Sequence, residues 1–438
     1  MREHRGGARR GTSRVALLLI LSTSCGCVGQ ALAGELVDEE KAEETAKNQH
    51  PDLVLPPHHS AASNDDTRAR RSYRVRASSE LAGYGDSDHV FVFTPSIAAT
   101  ADDPVEGWSV KGRYLVDVVS AASVDVVSTA SRRFREVRHA VSFSGGYKPS
   151  VFGVRATVSR SAEPDYFSWA AGGEASYDFD EKNKTLLFGY ALRHDQIGRT
   201  GTPFDVFSHA LDAHTLNGGV TLVVDRATLL SFVGDAVYER GDQSKPYRYV
   251  PMFEPGTFQR LGAGASIDRV NALRLPEKPL EQLPTKRDRY ALTTRYAHRF
   301  LSATLRLAER LYIDSWGLKA TTSDLAYVWD AGEHWSFTPH LRFHAQTPVV
   351  FWKRAYEVIY EHGGAWQVPA LRTGDRELSP LTSTTIGAST RFALGADPQP
   401  DSWAIVAGVD GVWTHFFDAL FITNRVGVLL TVGVEAEL

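Results

Sequence analysis

Long segments of alternating apolar and polar side chains constrain the fold of this chain more than any other feature of its sequence. Between residues 301 and 313, for example, Leu307 and Leu311 occupy one face of an extended segment. Arg306 and Arg310 occupy the opposite face. A period of two is typical of β-strands, because successive side chains of a strand point to opposite sides. The pattern therefore predicts a strand with one apolar and one polar face.

The length of these segments predicts the class of β-protein. They run for about 10 to 14 residues, about twice the length of an ordinary soluble strand. A tilted strand needs about 9 to 11 residues to cross a membrane. The predicted fold is all-β, a transmembrane antiparallel up-and-down β-barrel of about 16 strands, the even number that single-chain bacterial barrels use. The predicted strands are residues 72–84, 88–102, 108–118, 136–147, 151–161, 166–179, 184–194, 214–225, 228–239, 288–298, 301–313, 316–329, 334–348, 383–394, 402–414 and 424–438.

Every second connection between the predicted strands is short, and all the long connections fall in the other set. Short periplasmic turns opposite long extracellular loops are typical of outer-membrane barrels. We therefore expect both ends of the barrel chain on the periplasmic side. Pro95 cannot donate a hydrogen bond to a neighbouring strand, so it is expected to mark a bulge in the second strand. The long connections are residues 119–135, 195–213, 240–287 and 349–382.

The beginning of the sequence predicts export. Residues 1–33 carry a basic segment, a short apolar run and small residues before a cleavage site ahead of Gly34, as in a signal peptide. Residues 34–71 are polar without an apolar period, which predicts a disordered periplasmic lead-in before a barrel over residues 72–438. Both cysteines of the chain fall inside the signal peptide. The predicted location is the outer membrane of a Gram-negative cell.

Composition and motifs exclude several function classes. The net charge is −4, and Lys/Arg-rich runs are confined to the N-terminus, so we expect no nucleic-acid partner. The sequence contains no P-loop, dinucleotide-binding fingerprint, zinc-ligand spacing or nucleophile elbow. It therefore predicts neither an enzyme, nor a cofactor, nor a metal site. A lipase or protease built on a barrel is kept as the least favoured alternative.

The polar strand faces predict the lining of the barrel. If the apolar faces contact lipid, the side chains between them face the lumen. A charged lining could select solutes, whereas a salt-bridged interior would fill and stiffen the barrel. About 16 strands leave room for water, which favours a pore. The candidate lumen residues are Lys111, Arg113, Arg138, Arg155, Arg295, Arg306, Arg310, His340, Arg342 and His344, with Arg193 and Arg391, and acidic counterparts at Asp117, Glu174, Asp178, Asp235, Glu239, Asp410 and Glu435.

Two further features concern the ends of the strands. The connections 240–287 and 349–382 are rich in aromatic residues and proline, so they are expected to pack as a constriction in the lumen or as a lid across its mouth. The last predicted strand ends at Leu438 with apolar residues at alternate positions. That ending is similar to the signal by which the outer-membrane assembly machinery recognises its clients, although the usual last residue is Phe.

Four segments carry a family resemblance. They are residues 117–131, 273–278, 314–322 and 341–352, of which the Ser/Ala/Asp-rich first segment is the most specific. Together they resemble a bacterial family catalogued only as a domain of unknown function, over residues 72–438. The resemblance implies a signal peptide and an outer-membrane barrel, and it implies no activity. The family usually has Tyr and Ser near His344 and Ala345, where this chain departs.

The sequence therefore predicts a porin-like monomer that passes or binds small solutes. Its expected partners are outer-membrane lipid, the barrel assembly machinery and those solutes. The first alternative is an occluded barrel that serves a periplasmic or surface complex. Neither the composition nor the motifs identify a substrate.

Overall fold

One closed antiparallel barrel of sixteen strands organises the chain. The computed structural model describes residues 73–121, 134–360, 366–394 and 402–437. Each barrel strand pairs with the barrel strands before and after it, and the first closes on the last through pairs such as Leu81 with Val432. The predicted fold class is therefore confirmed. The barrel strands are β1 (Arg74–Asp86), β2 (Val90–Asp103), β3 (Trp108–Ala121), β4 (Phe134–Tyr147), β5 (Phe152–Ala162), β6 (Tyr166–Phe179), β7 (Lys184–Ile197), β8 (His209–Asp225), β9 (Thr228–Gly241), β11 (Lys286–Arg299), β12 (Ala303–Asp314), β13 (Lys319–Ala331), β14 (Trp335–Gln346), β18 (Leu381–Ala393), β19 (Ser402–Phe416) and β20 (Asn424–Glu437).

Short elements occupy two of the long connections. The α-helix Ile267–Leu273 begins at Ser266, whose hydroxyl accepts a hydrogen bond from the backbone N–H of Arg269. Among the helices of the described residues, none is long and apolar enough to span a membrane. The remaining short elements are the strands β10 (Met252–Phe253), β15 (Tyr356–Glu357), β16 (Ile359–Tyr360) and β17 (Trp366–Gln367) and the 3-10 helices Phe258–Arg260 and Arg376–Leu378.

The outer face of the barrel is a continuous apolar belt. On β20, the alternate residues Val428, Leu430 and Val432 are 45%, 55% and 54% exposed, whereas Leu429 and Thr431 between them point to the other side. Apolar surface of this extent would be strongly unfavourable in water, because each exposed side chain would lose the favourable free energy of burial in an apolar environment. In a bilayer the same surface contacts hydrocarbon, and the closed hydrogen-bond ladder leaves no free edge. The barrel is therefore of the transmembrane type.

Aromatic rings mark both edges of the belt. At the end that carries the short turns, Trp335 stacks on Phe337 with ring centroids 5.6 Å apart and contacts Phe392 at 4.5 Å. At the opposite end, Tyr238 and Tyr290 meet edge to face at 6.2 Å. Aromatic residues prefer the two membrane interfaces, where an apolar ring can lie beside polar headgroups. Further exposed rings beside the short turns are Trp108, Tyr147, Phe152, Tyr177, Trp329 and Trp403.

The predicted bulge at Pro95 is wrong. Strands β2 and β3 keep one register on both sides of the proline, with Phe93 opposite Val118 and Ser96 opposite Leu115. The missing N–H interrupts the ladder, but no extra residue is inserted. The register shifts instead between β8 and β9, at Val223 to Asp225, close to a periplasmic turn.

Several predictions fall on residues outside the described ones. The signal peptide and the polar lead-in precede residue 73, and Leu438 follows the last described residue. The first long connection contracts to residues 122–133, because β3 and β4 extend further than predicted, and these residues are not described either.

Candidate functional site: the lumen and its external cap

The residues predicted to line the lumen all lie on strand faces opposite the apolar belt. On β12, Arg306 and Arg310 alternate with Leu307 and Leu311, which are 42% and 53% exposed on the outer face. The same alternation holds along the other strands, so these side chains face the interior. They are Lys111 and Arg113 on β3, Arg138 on β4, Arg155 on β5, Arg295 on β11, Arg306 and Arg310 on β12, and His340, Arg342 and His344 on β14.

Arg310 of β12 pairs with a carboxylate on β9, with one strand between them. The Nη1 atom of Arg310 donates to Asp235 Oδ2 on β9 at 3.0 Å and to the hydroxyl of Thr293 on β11 at 3.1 Å. Strand β11 lies between the other two and presents Thr293 at the crossing point. Charge-assisted hydrogen bonds of this kind fix the direction of the guanidinium group.

The three candidate lumen residues of β14 are each held by protein groups. His340 Nε2 lies 2.5 Å from Asp410 Oδ1 on β19. This contact passes over Gly387 of β18, where a Cβ would lie 2.6 Å from the same histidine nitrogen. Arg342 binds Asp324 at 2.5 Å, and the Nδ1 atom of His344 lies 2.8 Å from a threonine hydroxyl on β13. These contacts satisfy the polar groups without a bound anion or metal.

The ion pairs of the lumen run along its wall. Arg138 pairs with Asp117 on the adjacent strand, at 2.6 Å between Nε and Oδ2. Arg391 of β18 pairs with Glu435 of β20 at 3.0 Å, with β19 lying between the two strands. The pairs of Arg310, His340 and Arg342 follow the same rule, since each joins strands that are adjacent or separated by one strand. These pairs therefore line the barrel without bridging its diameter.

A buried charge cluster near the external end of β7, β9 and β11 includes residues that the sequence did not single out. Glu239 is 1% exposed and accepts from Arg289 at 2.6 Å and from Arg193 at 3.4 Å. Arg287 binds Asp314 at 2.8 Å and packs over the ring of a tryptophan. Arg287 and Arg289 occupy odd-numbered positions of β11, as Arg295 does, and therefore lie on the same inner face of the strand. This alternation is the sequence signal that could have placed them inside the barrel.

Two long loops pack together as one unit at the external end. We call the cap the described residues of 242–285, 347–380 and 417–423. Strands β10 and β15 pair in parallel across the first two loops, with Met252 opposite Tyr356. Val250, Met252, Tyr356 and Val358 form a core in which no side chain is more than 3% exposed. The aromatic loops are therefore packed against each other, and their composition had predicted that they pack.

A buried ion-pair cluster pins the first loop of the cap to the second. Arg248 is 3% exposed and binds Glu281 at 3.2 Å and Asp375 at 2.7 Å. Thr373 donates to Glu281 at 2.6 Å. Burial alone would raise the pKa of Asp375, but the charge and hydrogen bonds of Arg248 hold that pKa below its ordinary value. Removing one partner of such a buried pair is costly, because the other charge is left without compensation.

The cap reaches several sides of the barrel rim. Arg376 binds Asp88 in the β1–β2 turn at 2.5 Å. The hydroxyl of Tyr247 accepts a hydrogen bond from the backbone N–H of Thr200 in the β7–β8 connection. Because the cap also arises from the β9–β11, β14–β18 and β19–β20 connections, it extends across the external mouth. A pocket beside Arg248, between the loops of the cap, measures about 40 Å³, which is room for a water molecule.

The chain was compared with curated proteins and with solved structures. A search of curated proteins finds no match. The chain is similar to a solved "Bacterial polysaccharide outer membrane secretin" at 8% identity and a TM-score of 0.39, covering 82% of this chain and 97% of that one. It is similar to outer membrane protein OpdK from Pseudomonas aeruginosa at 7% identity and a TM-score of 0.39, covering 84% and 99%. For OccK7 (OpdD) from the same organism the values are 9%, 0.39, 84% and 98%.

A family match covers the middle of the chain. Residues 208–398 match the family described as "Protein of unknown function (DUF3570)". This stretch contains β8 to β18 and the first two loops of the cap, and it is shorter than the 72–438 that the resemblance predicted. The predicted resemblance to a barrel family of unknown function is thus confirmed over residues 208–398.

Proposed function

We propose that this protein lies in the bacterial outer membrane and passes small polar solutes, with the cap limiting their size. The observation that carries the proposal is the course of the lumen ion pairs named above, each of which follows the wall and does not bridge the diameter. Barrels of 16 strands are wide enough to leave an aqueous channel when their interior is not filled. The apolar belt supports the membrane location, because only hydrocarbon makes such a surface favourable.

The selectivity of the lumen tests whether Arg306 and Arg310 line the path. In planar bilayers the purified protein should give defined conductance steps. Replacing both arginines by glutamate (Arg306→Glu, Arg310→Glu) should lower the preference for anions over cations, because the fixed charge of the wall changes sign. The measurement is the reversal potential in a salt gradient.

A matched control separates the lumen from the surface. Arg160 lies on the outer face of β5 with its guanidinium 5.0 Å from the ring of Phe167. The variant Arg160→Glu makes the same charge change outside the lumen, so its reversal potential should equal that of the wild type. If the double lumen variant also leaves the reversal potential unmoved, the two arginines do not line the ion path.

The cap favours a second candidate function, an occluded barrel that acts as a structural or assembly partner. Its packed core and its contacts with the rim would close the mouth permanently in that case. The two candidates differ in a liposome-swelling assay with sugars of increasing size. A solute channel gives swelling up to a size limit, whereas an occluded barrel gives none while still inserting correctly.

A further inference from the structure

Three carboxylates converge at the external rim, outside the lumen contacts described above. One oxygen from each of Glu136, Glu163 and Asp165 lies within 4.8 Å of the other two. Glu136 lies near the external end of β4, and the other two belong to the turn between β5 and β6. Glu136 is 4% exposed and Asp165 2% exposed, so the cluster is largely removed from water.

Each carboxylate of this cluster keeps one buried oxygen without a hydrogen-bond donor among the described residues. These atoms are Glu136 Oε1, Glu163 Oε2 and Asp165 Oδ1. Buried polar atoms are nearly always satisfied, and a buried carboxylate without a partner is especially unfavourable. Glu136 is the clearest case, since it is more than nine-tenths buried and directed at two other acids. A bound cation would satisfy all three oxygens together.

The basic groups near the cluster do not neutralise it. Arg138 faces Glu163 but is paired with Asp117 on β3 at 2.6 Å. Lys245 approaches Glu136 and Glu163 from the cap. One lysine cannot balance three carboxylates, so the cluster in its fully ionised form would keep a net negative charge in a poorly solvated place. Burial raises the pKa of Glu163 to about 7, which reflects this cost.

We propose that Glu136, Glu163 and Asp165 bind one divalent cation, with calcium as the preferred ion. Calcium takes about 6 to 8 oxygen ligands in flexible geometry, whereas magnesium usually takes one or two carboxylates and keeps several waters. Three carboxylates with water at the remaining positions suit calcium better. The site lies beneath the cap, because Asp165 also accepts from Thr200, whose backbone N–H donates to Tyr247 of the cap. A bound ion would therefore lie beside a contact between the rim of the barrel and its cap.

Calorimetric titration of the full barrel tests the site. The protein in detergent micelles is treated with EDTA, exchanged into buffer at pH 8 and titrated with calcium chloride. We expect one calcium per chain with a Kd of about 10⁻⁴ to 10⁻³ M, as in other extracellular sites. The variants Glu136→Gln and Asp165→Asn should each weaken binding at least about tenfold, since each removes a charged ligand. Glu277→Gln, an exposed carboxylate in the cap, should bind as the wild type does.

The pH dependence gives a second readout. Protons compete with a cation for its carboxylate ligands, Glu163 among them, so the affinity should fall as the pH is lowered from 8 to 6. The groups that face this carboxyl group from the surrounding elements are Glu136, Asp165, Asp117, Arg138 and Lys245. Of these, none is expected to gain a charge that would strengthen cation binding in that range.

Two outcomes would overturn the proposal. One is the absence of calcium-dependent heat up to about 10 mM, ten times the weakest expected Kd, in protein that keeps its compact gel mobility. The other is equal affinity of Glu136→Gln and wild type. If the variants fail to fold, terbium luminescence on the wild type decides, because Tyr247 lies near Asp165 and should sensitise a bound terbium that calcium displaces. The test is independent of whether the lumen conducts.

Discussion

Breaking the Arg248 ion pairs is expected to loosen the cap and raise the conductance of the barrel. The variant Arg248→Met leaves Glu281 and Asp375 buried without their cation. Loss of one partner from a buried pair costs about 3 to 5 kcal/mol, which is comparable to the stability of a small packed unit. The first two loops of the cap should then separate part of the time. In planar bilayers this appears as larger and more variable single-channel steps.

Removing the first loop should have a larger effect. Residues Arg240 and Lys286 face each other across β9 and β11, so a short turn can replace residues 244–283 without moving the strands. The conductance should rise roughly tenfold, towards that of an open barrel of 16 strands. Arg274→Met is the matched control for the point variant, because Arg274 binds Asn271 within its own loop at 2.8 Å. It should leave the conductance unchanged.

The outcome also separates the two candidate functions. If the shortened protein inserts correctly but conducts no better than the wild type, the cap is not the barrier. If neither protein conducts at all, the lumen itself is filled, and the occluded barrel is the better description. A gain of conductance in Arg274→Met equal to that in Arg248→Met would mean that the buried ion pairs do not hold the cap closed.

The barrel strands could be predicted because each one carries its own signal. Lipid on one side and a polar lumen on the other impose a two-residue period on the sequence, and this period does not depend on distant residues. The sixteen predicted segments all correspond to observed strands. The alternation does not cover the whole of β8, which begins at His209, five residues before the predicted start at residue 214.

The predicted and observed starts of β8 differ because the external end of the strand extends beyond the apolar belt. Outward-facing side chains near the external end of β8 are polar, although the hydrogen-bond ladder continues. Asp212 binds His194 at 2.7 Å, and His214 lies 2.7 Å from the hydroxyl of Tyr190. At the depth of the headgroups both faces of a strand can be polar, so the alternation disappears before the strand does.

The candidate sites were harder to predict because they depend on long-range register. The alternation of side chains along β12 placed Arg310 on the inner face. Its partner Asp235 precedes it by 75 positions, however, and the two meet only through the pairing of β9, β11 and β12. The cap depends on contacts between loops that have no periodic signal. The acidic cluster draws on two segments, near Glu136 and Glu163, whose proximity follows from the antiparallel pairing of β4 with β5.

A charge on the lipid-facing side of one strand is expected to destabilise the barrel far more than the same charge one residue further on. Val158 lies near the middle of β5, is 53% exposed on the outer face and pairs with Phe143 of the neighbouring strand. Ser159 follows it on the lumen face. Arginine at the bilayer midplane of a barrel costs about 2 to 4 kcal/mol, whereas lumen substitutions mainly alter selectivity.

The variants Val158→Arg and Ser159→Arg therefore form a matched pair. Guanidinium unfolding in lipid vesicles should show a loss of about 2 to 4 kcal/mol for Val158→Arg and a much smaller change for Ser159→Arg. Ser159 has room for the longer side chain only if the lumen is not filled, so its tolerance also supports an open interior. If Ser159→Arg proves the more damaging change, the two faces of the strands have been exchanged. The lumen assignment of Arg306 and Arg310, which depends on the same parity, would then fail with it.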